Sequence, residues 1–160
     1  MASPVLSSAS VARVRAALER AGLASEIVEL PGAARSAAAA AAFLGCGIAQ
    51  IANSLVFRAA SGAAVLVMSS GAGRVDLQRV AERLGEAVGK ADAEFVREKT
   101  GFAIGGVPPV GHGLEKVFVD ARLAAQRELW AAGGHPHTVF RLTYAELLRI
   151  TGGQPIEAAA

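Results

Sequence analysis

The stretch Phe102-Ala103-Ile104-Gly105-Gly106-Val107-Pro108-Pro109-Val110-Gly111-His112-Gly113 is too rich in glycine and proline for a helix or a central strand, yet too apolar for a solvated loop. It reads as a buried or ligand-lining loop. Its glycines fit neither the dinucleotide-binding nor the P-loop spacing, and no strand leads into it as those motifs require. Two readings stay open on the residues alone. One is a tight buried turn between a helix and a strand. The other is a site in which glycines admit a ligand close to the backbone and prolines hold the peptide N–H and C=O groups in place around it.

Working outward, Asp92 caps a helix carrying Phe95 and Val96 that ends at Thr100-Gly101, and Asp76 caps one carrying Leu77, Val80, Ala81 and Leu84. Before these, residues 51–59 and 63–69 are β-rich runs around Ala60-Ser61-Gly62 and predict an antiparallel hairpin. Strand alternation puts Ile51, Asn53, Leu55 and Phe57 on one face and Arg58 on the other. Residues 33–45 form an alanine-dominated helix with Ser36 at the N-cap position. Val11, Val14, Leu18 and Ala21 mark an amphipathic first helix stopped by Gly22, followed by a short strand over 26–30.

On the other side of the loop, 116–120, 128–132 and 137–142 read as strands. Thr143 and Glu146 then form a capping box for a last helix through Ile150, stopped by Gly152-Gly153. Strands and helices interleave without a regular βαβ repeat, which predicts an α+β fold: a mixed β-sheet with surrounding helices. A chain of 160 residues fits one domain over 1–160, with the ends, about 1–8 and 156–160, expected to fray.

Composition narrows the function classes. Hydrophobic residues make up 52% and charged residues 19%, as in a globular protein. No apolar run approaches the ~20 residues that span a bilayer, and the first residues lack a secretory signal, so a cytoplasmic address without a membrane role is expected. Cys46 is the single cysteine; it allows neither an intrachain disulfide nor a thiolate metal cluster. With a formal net charge of +2, any polyanion must be bound through a local patch and shape rather than a strong overall field, and DNA is not an expected partner.

Four segments resemble, in order and spacing, the bacterial YbaK/prolyl-tRNA-synthetase-associated editing domains: residues 30–37 (Leu-Pro-Gly-Ala-Ala-Arg-Ser-Ala), 50–57 (Gln-Ile-Ala-Asn-Ser-Leu-Val-Phe), 100–112, and 130–134 (Trp-Ala-Ala-Gly-Gly). The glycine-proline loop is the specific part of the match; the alanine-rich helix is generic. The resemblance implies a mixed sheet closing into a barrel-like core. It also implies a trans-acting aminoacyl-tRNA deacylase, a hydrolase that cleaves the ester of a small amino acid mischarged on tRNA, tRNA for proline among others. Mischarged tRNA and an aminoacyl-tRNA synthetase are the implied partners, and no metal or organic cofactor is implied.

On this reading the backbone of Gly105, Gly106, Val107, Pro108 and Pro109 orients the ester and an attacking water. Asn53 stands where editing members typically carry a lysine, and Ser36, Phe102, Ile104 and His112 contact the substrate. Asparagine is neutral where lysine supplies a full charge, and three explanations of that departure stay open. They are altered specificity with a repositioned cation, a catalytically impaired member kept as an aminoacyl-tRNA or synthetase binding module, or an engineered substitution. Arg74 and Lys116 are loose candidates for the cation.

The remaining polar residues each carry a plainer reading. Ser36 is explained equally well by capping. His112 is either a substrate contact and proton relay or a structural hydrogen-bonder. His135 and His137 offer two metal ligands with no obvious third, and Trp130 reads as core or pocket wall.

Overall fold

The computed structural model describes residues 3–158 apart from residues 33 and 35. In chain order its elements are α1 (Ala9–Arg20), β1 (Val28–Glu29), α2 (Ala37–Leu44), β2 (Ala52–Ala59), β3 (Ala64–Ser70), α3 (Leu77–Leu84), β4 (Val88–Lys90), α4 (Ala93–Thr100), β5 (Lys116–Asp120), β6 (Leu129–Ala132), β7 (Thr138–Leu142), α5 (Tyr144–Thr151) and β8 (Gln154–Ile156). The helix boundaries sit where the capping residues put them. Ser36 Oγ accepts from the Ala39 N–H at 3.1 Å, Asp92 Oδ1 from the Phe95 N–H at 2.8 Å, and Thr143 and Glu146 close the expected capping box at 3.1 and 2.8 Å. Each cap satisfies an N–H that the first helical turn leaves without a partner.

β2 and β3 form the expected antiparallel hairpin, with Asn53 opposite Ser69 and Phe57 opposite Val65. β3 continues into parallel pairing with β5, and β5 with β8, so the five-stranded sheet runs β4-β2-β3-β5-β8. A second, antiparallel sheet of three strands runs β1-β7-β6. Buried side chains from both sheets, among them Leu66, Met68, Leu129 and Phe140, form the main core with Val11, Val14 and Leu18 of α1. A smaller cluster, Val65, Val67, Val80 and Phe118, lies under α3. Ala37, Ala40 and Ala41 of α2 pack on Ile51 and Trp130; side chains this small let the helix lie close against the sheet junction.

The mixed α+β architecture is as expected, but the hydrogen-bonded ladders do not close into a barrel. The two sheets meet in a single parallel bridge, Ile51 with Trp130. Ile51 is the last residue before β2 begins, so pairing at this seam does not extend into a ladder. Two short strands escape a reading by pattern. β4 is three residues with a central glycine, and β8 contains Pro155, which an edge strand tolerates.

Of the ends expected to fray, residues 1, 2, 159 and 160 lie outside the described residues, and described residues beside them make contacts. Ile156 and Ala158 are 3% and 0% exposed, and the Asp76 N–H donates to Ala158 O at 2.6 Å. At the other end the Ser3 hydroxyl donates to Glu29 Oε1 at 2.6 Å, and Leu6 packs on the core.

Candidate functional site

The start of α2, the start of β2, the 102–113 loop and the β6–β7 connection converge on a cleft of about 210 Å³. Its walls are mostly small and apolar, with Ala37, Ala40, Ile51, Ala132 and Val139 lining it. Of the residues singled out by sequence, the fold brings Ser36, Asn53, Ile104, Gly105 and Val107 to this cleft. Asn53 is half-buried on β2, and its amide makes no hydrogen bond to another described residue. Ser36 Oγ is engaged by the Ala39 N–H, so its cap is made at the cleft wall and both readings of this residue meet in one place.

The loop is held by two glycines for two different reasons. Gly105 has φ +88°, a left-handed conformation that favours glycine. At Gly106 the reason is space. A Cβ there would stand 2.9 Å from His135 Cα and 3.0 Å from His135 C, both main-chain atoms. The Gly106 N–H donates to Ala103 O at 2.9 Å and closes the turn. The N–H groups of Gly105 and Val107, on either side, donate to no other described residue. Both residues line the cleft.

Other residues of the same string turn away from the cleft. Gly106, Pro108 and Pro109 are buried and line neither this cleft nor its neighbour. His112 is 8% exposed: its Nδ1 accepts from the Leu114 N–H at 2.9 Å, leaving the proton on Nε2 to donate to Pro109 O at 3.1 Å. Burial pushes the imidazole pKa down against the opposing effect of the Pro109 bond. The ring clamps the loop from behind. Phe102 is 1% exposed, with the Arg13 guanidinium 4.4 Å from its ring centroid, and it lines the neighbouring cleft and not this one.

No described residue lining the 210 Å³ cleft is charged. Arg58 points to the other face as expected and lies 5.1 Å from the Phe95 ring centroid. Lys116 pairs with Val65, at the far end of the hairpin from Asn53 and Ser69, and Arg74 does not line the cleft either.

A second cleft, of about 600 Å³, adjoins the first and shares Ala34, Ile104, Gly105 and Pro136 with it. Arg97, His135 and His137 line only this second cleft. His135 and His137 stand edge to face with centroids 5.1 Å apart, and His135 Nδ1 already accepts from the His137 N–H. Burial, and then the neighbouring His137, lower the His135 pKa, while Glu29 opposes them. Among the described residues no three potential metal ligands come together. Ala132, from the 130–134 segment, lines the small cleft, as do Pro136 and Thr138, which were not singled out. Their one advance signal is the Gly133-Gly134 pair, which marks the β6–β7 turn.

Two solved structures share the architecture just described, and two sequence comparisons stand beside them. The aminoacyl-tRNA editing domain family matches residues 31–150. The uncharacterized protein YwhH of Bacillus subtilis (strain 168) is 27% identical over 123 residues, 76% of this chain and 78% of that protein. A crystal structure described as "a putative trans-editing enzyme for prolyl tRNA synthetase" is 44% identical with a TM-score of 0.89, covering 96% of this chain and 98% of that one. The structure of hypothetical protein APE2540 is 28% identical with a TM-score of 0.82, covering 89% and 96%. With the glycine-proline loop, the capped alanine helix and the first hairpin strand all inside the matched range, the chain belongs to the aminoacyl-tRNA editing domain family, the YbaK/prolyl-tRNA-synthetase-associated group its motifs resemble.

Proposed function

We propose that the protein is a trans-acting aminoacyl-tRNA deacylase that hydrolyses the ester of a small amino acid mischarged on tRNA, with tRNA for proline as the first candidate. The observation that carries the reading is the alanine-walled cleft of about 210 Å³ opening at the backbone of Gly105 and Val107. Its volume lies below the roughly 300–1,000 Å³ of drug-sized sites. A tight pocket excludes larger side chains by sterics far better than it separates residues differing by one methylene. The 44% identical structure, whose own description is "a putative trans-editing enzyme for prolyl tRNA synthetase", supports the choice of tRNA. No described helix is long and apolar enough to cross a membrane, and a role in translation fidelity favours the cytoplasm.

In the proposed reaction water adds to the ester carbonyl. The oxyanion that forms is held by the Gly105 or Val107 N–H, where a preorganised donor gains more than it would in bulk water. The tetrahedral species collapses by breaking the bond to the ribose oxygen, which takes up the proton lost by the water, and the free amino acid leaves. No acid–base side chain at the cleft is needed for this route. Asn53 supplies hydrogen bonds to the substrate where a lysine would supply charge. The missing charge-assisted contact is worth about 1.5–3 kcal/mol, on the order of tenfold to a hundredfold in rate.

A second reading, an aminoacyl-tRNA or synthetase binding module, is favoured by the absence of charge among the described residues of the small cleft. Incubation with alanyl-, seryl-, threonyl- and cysteinyl-tRNA, beside an Asn53→Lys variant, separates the two. The deacylase reading expects measurable turnover of at least one small-residue substrate by the parent and faster turnover by the variant. An inert parent beside an active variant would overturn it in favour of the binding module.

A further inference from the structure

Two of the wider concavities of the described surface share lining residues with the small cleft, and their charges differ. One, of about 550 Å³, is lined by Glu26, Glu128 and Glu146 against a single cation, Arg141, which Glu128 already pairs at 3.3 Å. It shares only Trp130 with the small cleft. The other is the cleft of about 600 Å³ beside the loop. No carboxylate lines it. Arg97 does, from the exposed last turn of α4, and its guanidinium pairs with no other described residue. Ser10 and the rings of His135 and His137 add polar groups, and Ile104 and Pro136 supply apolar wall. Arg13 stands at the same rim, donating to Gly101 O at 3.1 Å.

The two clefts beside the loop meet along Ala34, Ile104, Gly105 and Pro136. An aminoacyl ester has the same two-part shape, a small side chain on one side of the scissile carbonyl and a bulky, anionic nucleotide on the other. Ile104 is 55% exposed on this shared rim.

We propose that the second cleft seats the 3′-terminal nucleotide of the tRNA, with Arg97 holding the phosphate on its 5′ side and Ile104 and Pro136 packing against the sugar and base. The proposal rests on the deacylase reading for the identity of its ligand. It places the charge missing at Asn53 one cleft away, where it acts on the phosphate and not on the ester.

The test measures binding of the trinucleotide CpCpA to the parent, Arg97→Glu and Arg97→Lys by titration calorimetry across a salt series, together with deacylation of aminoacyl-tRNA and of an aminoacyl-adenosine that lacks the 5′ phosphate. Arg97→Glu is expected to weaken CpCpA binding roughly tenfold or more and to flatten the logarithmic salt slope by about 0.7; Arg97→Lys recovers part of both. Toward aminoacyl-tRNA the same variant raises KM and not kcat, while aminoacyl-adenosine is cleaved alike by all three proteins. Failure of the parent to bind CpCpA, or equal binding by parent and Arg97→Glu, overturns the proposal. The two readings fail separately. CpCpA binding through Arg97 by a parent that cleaves nothing removes the deacylase and keeps the nucleotide seat, whereas cleavage indifferent to Arg97→Glu does the reverse.

Discussion

Replacing Gly106 by alanine tests whether the loop and the β6–β7 turn must touch for the site to work. The added Cβ would stand 2.9 Å from His135 Cα, 3.0 Å from His135 C and 3.1 Å from His135 N. All three are backbone atoms, so no flexible side chain can swing aside. Reaching ordinary van der Waals contact requires the two segments to part by at least about 0.5 Å. Because φ at Gly106 is not in the left-handed region, the substitution acts through this contact and not through backbone strain. Overpacking of this kind costs about 1–3 kcal/mol, and each kcal/mol lowers Tm by about 2–4 °C in a domain of this size. The opening falls on the rim shared by the two clefts, where Gly105 and Pro136 face each other with a hypothetical Gly105 Cβ 3.8 Å from Pro136. A displacement near 1 Å at a reacting centre costs on the order of a hundredfold, so kcat/KM is expected to fall by roughly ten- to a hundredfold. The control is Gly105→Ala, which meets no clash but is strained by φ +88°, for about 1–2 kcal/mol. Thermal melts and deacylation rates of both variants decide the matter. Parental kcat/KM and Tm in Gly106→Ala would refute the claim that this contact holds the site.

Substitutions at three further positions probe the frame around the site. Asp120 is fully buried; burial pushes its carboxyl pKa up, but hydrogen bonds from the Arg122 side chain (2.6 Å at Nη2), the Arg122 N–H and the Ser70 N–H hold it below the ordinary value. The stability this provides is therefore full above an unfolded-state pKa of about 3.9 and is lost as pH falls through the lower folded-state value. Arg122→Met should lower stability by about 1–3 kcal/mol at pH 7, with parent and variant converging in acid; melts whose difference persists to low pH would contradict this. Ser36→Ala is expected to cost about 1 kcal/mol through the lost cap, and Ser36→Gly a few tenths. A Ser36→Gly variant with parental Tm but reduced deacylation would show that the hydroxyl touches substrate. Ile156→Ala should cost about 2–5 kcal/mol as a buried core residue, where a frayed end would register no change by denaturant titration.

What could be read in advance depended on whether the cause was local. Ser36, Asp76, Asp92 and Thr143 announce helix starts because a cap bonds within three residues of itself. The β2–β3 hairpin shows in alternation around a single turn. β4 and β8 exist only because β2 and β5 offer them an edge, and three residues containing a glycine or a proline carry no pattern of their own. The single-bridge seam at Ile51 and Trp130 is likewise a property of how two sheets meet, which a resemblance to a barrel-like fold does not convey. Within the site the same limit applies. Ile104, Gly105 and Val107 reach the cleft as their motif implies, but His112, in the same string, folds back onto the carbonyl of Pro109. Pro136 and Thr138 enter the wall through the β6–β7 pairing and so went unread.

The departure at Asn53 looks different once the two clefts are seen together. A lysine at that position would put its charge into the small, alanine-walled cleft, where it would act on the aminoacyl end of the proposed substrate and not on a phosphate seated in the neighbouring cleft. The phosphate of the terminal nucleotide would be the anionic part of the proposed substrate, and the exposed Arg97 lines the larger cleft in which that phosphate would sit. Separating the two tasks leaves Asn53 to hydrogen-bond the aminoacyl end and Arg97 to anchor the nucleotide. On that division Asn53→Lys combined with Arg97→Glu should cleave small aminoacyl-adenosines as fast as Asn53→Lys alone while leaving aminoacyl-tRNA poorly bound. If instead the double variant cleaves aminoacyl-tRNA as tightly as Asn53→Lys alone, the charge at position 53 suffices for both tasks and the division fails.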